Sequence, residues 1–229
     1  MSRLPRIIVP GLLHHVTQRG NRRQRIFMQN DDYGLYRDWL SQGCRSNGVE
    51  VWSYCLMPNH VHLILVPIDD TGLSRAVGET HRRYSGYINA RLRVTGHLFQ
   101  GRFGCVAMDE AHLMAAFRYV ALNPVKAKLA ATVVDWSWSS APAHLRRQDD
   151  GLVTVQPLLD RVDSFAEFLD TPEDPERVAA LTRGQSIGRP LMGDRELGEL
   201  EKRLGRPLRP GKRGRPPSEK KDPRQQKMV

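Results

Sequence analysis

The stretch VEVWSYCLMPNHVHLILVP (residues 49–67) restricts the fold more than any other part of the chain. Two strand-length runs rich in Val, Leu, Tyr and Trp flank Met-Pro-Asn, whose proline and asparagine favour a tight turn. Such a pair closes as a β-hairpin, 49–56 against 60–67. Side chains alternate across a strand, so Val61, Leu63 and Leu65 point one way and His60, His62 and Ile64 the other. In an antiparallel sheet covered on one face the two sets have different fates. The aliphatic set suits the helix-covered face, and both histidines then project together from the open one.

The remaining elements arrange themselves around this hairpin. GLLHHVTQR (11–19) reads as a first strand, followed by the basic loop GNRRQR. Asn30 can cap a helix in which Tyr36, Leu40 and Cys44 recur every four residues, and Gly48 stops it. A second helix over about 73–94 carries Leu73, Val77, Tyr84, Ile88 and Leu92 as its apolar stripe. A glycine-punctuated strand segment lies within HLFQGRFGCVAM (97–108). Asp109 caps a third helix, predicted to end near Asn123 because Pro124 follows. The order strand, helix, strand, strand, helix, strand implies an α+β fold, a ferredoxin-like split βαβ with helices packed on one face of an antiparallel sheet. A third helix follows it. The pattern weakens after VVDWSWSSAPAH (133–144), which divides the chain into a domain over 1–145, a connecting region over 146–182 and a tail over 183–229.

Charge separates the parts further. Residues 183–229 hold 14 Lys/Arg against 6 Asp/Glu, whereas the preceding 182 are nearly balanced. Two stretches of the balanced part are still free of acid. Residues 1–30 contain Arg19, Arg22 and Arg23 among six arginines, and residues 80–108 contain Arg82, Arg83 and Arg102 among five. Whole acid-free blocks point to a polyanion, with nucleic acid favoured over a membrane surface because no strong apolar face accompanies them. Three scattered cysteines without a Cys-x-x-Cys pair argue for a reducing compartment. Together with the absence of a leader-like or membrane-spanning run, they predict a soluble, cytoplasmic, nucleoid-associated protein.

The histidine pair carries the chemistry. Two imidazoles two residues apart on one strand face can share a cation. In FRYVALNPV (117–125), Tyr119 and Asn123 lie four apart and stack on one helical face. Asn123 offers a neutral carbonyl oxygen for a divalent ion, and Tyr119 a phenol one turn away. Each has an ordinary reading as well, a core-edge aromatic and a helix-ending residue. The functional reading requires the fold to bring the third helix over the histidine strand.

These motifs, taken in order, resemble the single-tyrosine HUH transposases, most closely the REP-associated tyrosine transposases of the IS200-like group. The resemblance is carried by HHVTQRGNRRQRIF (14–27), YCLMPNHVHLILVP (54–67), GHLFQGRF (96–103), RYVALNPVKAKLA (118–130) and DWSWSS (135–140). It implies the HUH endonuclease fold, with His60, His62 and Asn123 as ligands of Mg²⁺ or Mn²⁺ and Tyr119 as nucleophile. The implied activity is nicking and joining of single-stranded DNA beside REP-like hairpins through a 5′-phosphotyrosine, by a monomer or homodimer. Arg19, Arg22, Arg23, Arg82, Arg83 and Arg102 are the candidate phosphate contacts. Arg213-Gly214-Arg215 in the tail looks like an AT-hook core, suited to a narrow minor groove. Two other readings stay open: a hairpin-binding regulator without turnover, and a phosphodiesterase that uses water.

Overall fold

The computed structural model describes residues 5–209. Strands β1 (Leu13–Arg19), β2 (Val49–Met57), β3 (His60–Pro67) and β4 (Gly104–Met108) form one antiparallel sheet in the order β2-β3-β1-β4. Helix α1 (Asn30–Ser46) links β1 to β2, α2 (Gly72–Leu92) links β3 to β4, and α3 (Glu110–Lys126) follows β4. β3 lies between β1 and β2 and runs against both, which makes β1-α1-β2 a split βαβ. This is the α+β fold indicated by the sequence. The hairpin closes at Met57↔His60 and ends at Val49↔Pro67, with a bulge between Val51 and Ser53.

Coverage of the sheet differs from expectation in one respect. Val61, His62, Leu63, Ile64 and Leu65 are each no more than 1% exposed, so β3 is enclosed on both sides. The α1/α2 pair packs on the aliphatic face, where Tyr36, Leu40, Leu73, Val77 and Tyr84 are fully buried. α3 lies over the histidine face, which is therefore not open. The reason is in α3 itself. Leu113, Ala116, Phe117, Val120 and Ala121 are an apolar stripe that needs a surface, and the histidine face is the side of the sheet left uncovered by α1 and α2.

Two helix ends also differ. The cap of α1 is Gln29 rather than Asn30, because Asp32 turns back to accept from the Gln29 and Met28 amides at 2.9 and 2.8 Å. Arg91, from the last turn of α2, forks onto both oxygens of this fully enclosed carboxylate and ties the start of α1 to the end of α2. α3 does not stop at Asn123. It runs through Pro124 to Lys126, with Ala127 N donating to Asn123 O at 3.0 Å. Proline disfavours a helical predecessor, but Asn123 and Pro124 are both buried in the last turns of α3, and that packing outweighs the bias.

Both sheet edges are covered. Along β2, Leu56 N donates to Trp138 O at 2.8 Å and Ser140 N to Tyr54 O at 2.9 Å, so the DWSWSS segment closes that edge. Along β4, Leu191 N donates to Ala107 O at 2.8 Å and Asp109 N to Leu191 O at 3.0 Å. Short helices α4 (Ala141–Arg146), α5 (Gln156–Leu159) and α6 (Phe165–Asp170) follow, then α7 (Pro175–Ile187) and α8 (Asp194–Leu204). The expected division at 182/183 falls inside α7. That helix packs beside α3 on the histidine face, where Gly184 leaves room for Val106 and Leu191. α8 returns to the N-terminal segment, with Leu200 and Leu208 buried against Ile7 and Val9. Residues up to 209 thus belong to the same folded body, while Arg213, Gly214 and Arg215 lie outside the described residues. Among the described residues no helix is long and apolar enough to cross a membrane.

Candidate active site

The site begins at the turn before β3. Gly20, at the end of β1, packs so closely that a Cβ would lie 2.2 Å from Gln24 O, and no side chain fits there. This lets the loop after β1 hold the turn: Gly20 N donates to Asn59 O at 2.8 Å and Ile26 N to Pro58 O at 2.9 Å. Asn59 in turn donates to Arg23 O at 3.1 Å, and its Oδ1 accepts from His60 Nδ1 at 2.6 Å. His60 is thereby set with its proton on Nδ1 and a lone pair on Nε2.

One residue pair along, His62 is held between two elements. Its Nδ1 lies 3.0 Å from His15 Nε2 on β1, and its Nε2 lies 3.3 Å from the Asn123 side-chain amide on α3. The His60 and His62 rings stand nearly perpendicular, with centroids 4.9 Å apart. Tyr119, one turn before Asn123, sets its ring edge-on to His62 at 5.3 Å. α3 therefore brings Tyr119 and Asn123 over the histidines, the condition on which the sequence reading depended. Register does the rest: Arg19 pairs with His60, and Thr17 with His62, so β1 lines the same face. Arg19, His60, Arg102, Tyr119, Thr17 and Thr182 border one cavity of about 470 Å³.

Burial, then the charge of Arg19, pushes His60 down to about 4. Burial, then His15, His60 and Arg19, pushes His62 well below the ordinary histidine value. Both rings are thus neutral at neutral pH, the form that ligates a metal.

Against this geometry, residues 9–123, just over half of the chain, match the family described as transposase IS200 like. The chain belongs to the IS200-like transposase family. A REP-associated tyrosine transposase, solved bound to a REP hairpin, has the same fold. It is 23% identical, with a TM-score of 0.55, over 67% of this chain and 89% of that one. A candidate transposase from Deinococcus radiodurans aligns at 19% identity over 56% of this chain and 92% of its own, with a TM-score of 0.36. No curated protein matches.

The transposase's donors fit a divalent cation. His60 Nδ1 is taken by Asn59 and His62 Nδ1 by His15, so each ring has only its Nε2 to offer an ion, that of His62 lying beside the Asn123 amide. The third donor is the Asn123 amide, whose oxygen takes the place of its nitrogen on a half-turn. Among the described residues no group of three or more His, Cys, Asp or Glu could hold a metal ion, so the donor set here is two histidines completed by an asparagine.

Not every arginine reaches this place. Arg19 and Arg102 border the cavity, and Arg22 and Arg23 are exposed on the loop that holds Asn59. Arg82 and Arg83 are on the far layer. Arg82 pairs with Glu79 at 2.8 Å, and Arg83 lies 4.1 Å over the Trp39 ring. Both lie on the solvent face of α2. Arg6, from the other acid-free block, also lines the cavity, stacked on Phe103 at 3.6 Å. The sequence reading passed over His15. The signal available was parity: it is two residues before Thr17 on β1, and so on the site face, but only the strand register shows that it meets His62.

Proposed function

We propose that this transposase cleaves single-stranded DNA next to a hairpin and rejoins it, with Tyr119 as nucleophile and His60, His62 and Asn123 holding Mg²⁺ or Mn²⁺. The observation that carries this reading is the meeting of those four side chains, drawn from β3 and α3: His60 and Tyr119 line a cavity edged by Arg19 and Arg102, and His62 and Asn123 are buried beside them. A divalent cation bound there would supply Lewis-acid polarisation of the scissile phosphate. Two imidazole donors favour Mn²⁺ over Mg²⁺ in affinity.

The protein's own groups account for the remainder. Arg19 and Arg102 hold the DNA backbone across the cavity by charge-assisted hydrogen bonds. Tyr119, presented from a helix packed along its length, attacks phosphorus. The Tyr119 O–P bond forms as the P–O3′ bond breaks, the phenol gives up its proton, and the departing 3′-oxygen takes one up. The resulting 5′-phosphotyrosine conserves the energy of the phosphodiester, so a 3′-hydroxyl from another strand can reverse the step and join the DNA. A water nucleophile would instead leave cut ends. Support for a hairpin beside the cut comes from the ligand of the REP-associated relative and from the exposed Arg22 and Arg23 on the loop next to the site.

The test is an SDS gel of protein incubated with labelled hairpin DNA carrying a single-stranded flank and Mn²⁺. A metal-dependent covalent adduct in the wild type, absent from Tyr119→Phe and His62→Ala, is the expected result. Cleavage that persists in Tyr119→Phe would assign the chemistry to water. Tight binding with no cleavage in either metal would make the protein a hairpin-binding regulator.

A further inference from the structure

The His15 ring is enclosed in the middle of the sheet, stacked on His62 with centroids 5.2 Å apart and an interplanar angle of 14°. Its Nε2 meets His62 Nδ1 at 3.0 Å, while its own Nδ1 is buried without a hydrogen-bond partner. A contact of this kind needs one nitrogen that carries a proton and one that carries a lone pair. An aliphatic residue would fill this position without leaving a polar atom unpaired. The contact with His62 is what distinguishes histidine there.

Two neutral rings joined in this way have two proton arrangements. In one, His15 Nε2–H donates to His62 Nδ1, and His62 carries its own proton on Nε2, which the Asn123 amide accepts when its oxygen is turned to the ring in place of its nitrogen. That arrangement leaves only a bare lone pair on His15 Nδ1, but it also closes His62 Nε2 to a cation. In the other, His62 Nδ1–H donates to His15 Nε2, both protons sit on Nδ1, and His62 Nε2 presents a lone pair. Each ring keeps one proton throughout. The second arrangement leaves a buried N–H unpaired at His15 and is disfavoured unless something binds at His62 Nε2.

We propose that His15 is the positioning residue of the cation site: it fixes the His62 ring plane, and its Nε2 accepts a hydrogen bond from His62 Nδ1–H when His62 Nε2 takes the metal. The inference rests on the metal-binding reading above. It makes β1 part of the site, and it makes metal binding coincide with reversal of one buried hydrogen bond.

The test is Mn²⁺ affinity of the full chain without DNA, read from the free-ion electron paramagnetic resonance signal. Loss of a partner that orients a ligand weakens metal binding by about 10- to 100-fold. His15→Phe, which keeps the ring but cannot accept, is expected to weaken Mn²⁺ binding by about that much. His15→Gln, whose amide oxygen can accept, is expected to stay within a few-fold of wild type. Melting in EDTA shows whether each variant folds. If His15→Phe does not, the ¹⁵N histidine spectrum of wild type decides: His62 should carry its proton on Nε2 without metal and on Nδ1 in saturating Mg²⁺. Equal Mn²⁺ affinity in wild type and folded His15→Phe would overturn the role of His15 alone, as would an Nε2 proton on metal-loaded His62. Equal affinity in wild type and His62→Ala would overturn the metal site itself, and the role of His15 with it.

Discussion

The two faces of the sheet are built from the same strands and have opposite characters. Toward α1 and α2, Val16, Val61, Leu63 and Leu65 meet Tyr36, Tyr84 and Leu40 in an apolar layer. The hydroxyls of that layer are satisfied locally, Tyr84 on Ile26 O at 2.8 Å and Tyr36 on His81 at 2.8 Å. Toward α3 and α7, the alternate residues of β1 and β3 are His15, Thr17, Arg19, His60 and His62, which meet Tyr119 and Asn123. One face stabilises the fold, and the other buries imidazoles beside a cavity lined by Thr17, Arg19, His60 and Tyr119. A period of two along the strands separates them.

The largest expected effect is on the histidine face. Tyr119→Phe should lower strand cleavage by on the order of 10³-fold or more, in line with loss of a nucleophile, while its melting temperature stays near wild type because the ring remains. A large fall in melting temperature would mean that the phenol is structural. On the opposite face, Leu63→Ala should cost about 3 kcal/mol, the usual penalty for emptying a fully buried site, measured by urea unfolding. The remaining folded protein should still form the adduct, and loss of the adduct under folding conditions would break the separation of the faces.

Next in size is the Arg91–Asp32 pair, which ties the helix layer together. Arg91→Ala should cost about 1.5–3 kcal/mol at neutral pH, the range for hydrogen bonds to a charged group. Burial raises the Asp32 pKa, but Arg91 and the Gln29 and Met28 amides outweigh it and hold the carboxyl below its ordinary value. Its contribution to stability is therefore full above the unfolded aspartate pKa and is lost as pH falls through the depressed folded value. Unfolding curves of wild type and variant should separate at pH 7 and converge in strong acid, and a pH-independent gap would show that the pair acts through packing alone. The smallest effect sharpens the comparison at the surface. Arg19→Ala should weaken single-stranded DNA binding about tenfold at low salt, a loss of about 1.4 kcal/mol. Arg82→Ala, on the far layer and already paired with Glu79, should leave it within about twofold. Equal losses in a filter-binding titration would place DNA on both layers.

Much of this was legible because it is local. Alternation in HVHLILVP placed His60 and His62 on one side of a strand, and the four-residue spacing placed Tyr119 and Asn123 on one side of a helix. Asp109 caps α3 as its sequence suggests, accepting from His112 N at 2.9 Å. The end of α3 was misread because packing overrode a local bias, and Pro124 stayed inside the helix. The arginines of residues 80–108 are divided between two layers, which their sequence spacing does not show.

The sequence by itself determined the order of the elements, the membership of each strand face and the residue types that can bind a cation and attack a phosphate, since all of these depend on backbone periods and side-chain chemistry. Tertiary structure alone decided that α3 covers the histidine face, that α7 borders the same cavity and that β1 delivers His15 to His62. Those contacts join residues 47 to more than 100 positions apart. They follow from strand register and from competition among apolar stripes for the uncovered side of the sheet, which no period within a single element encodes.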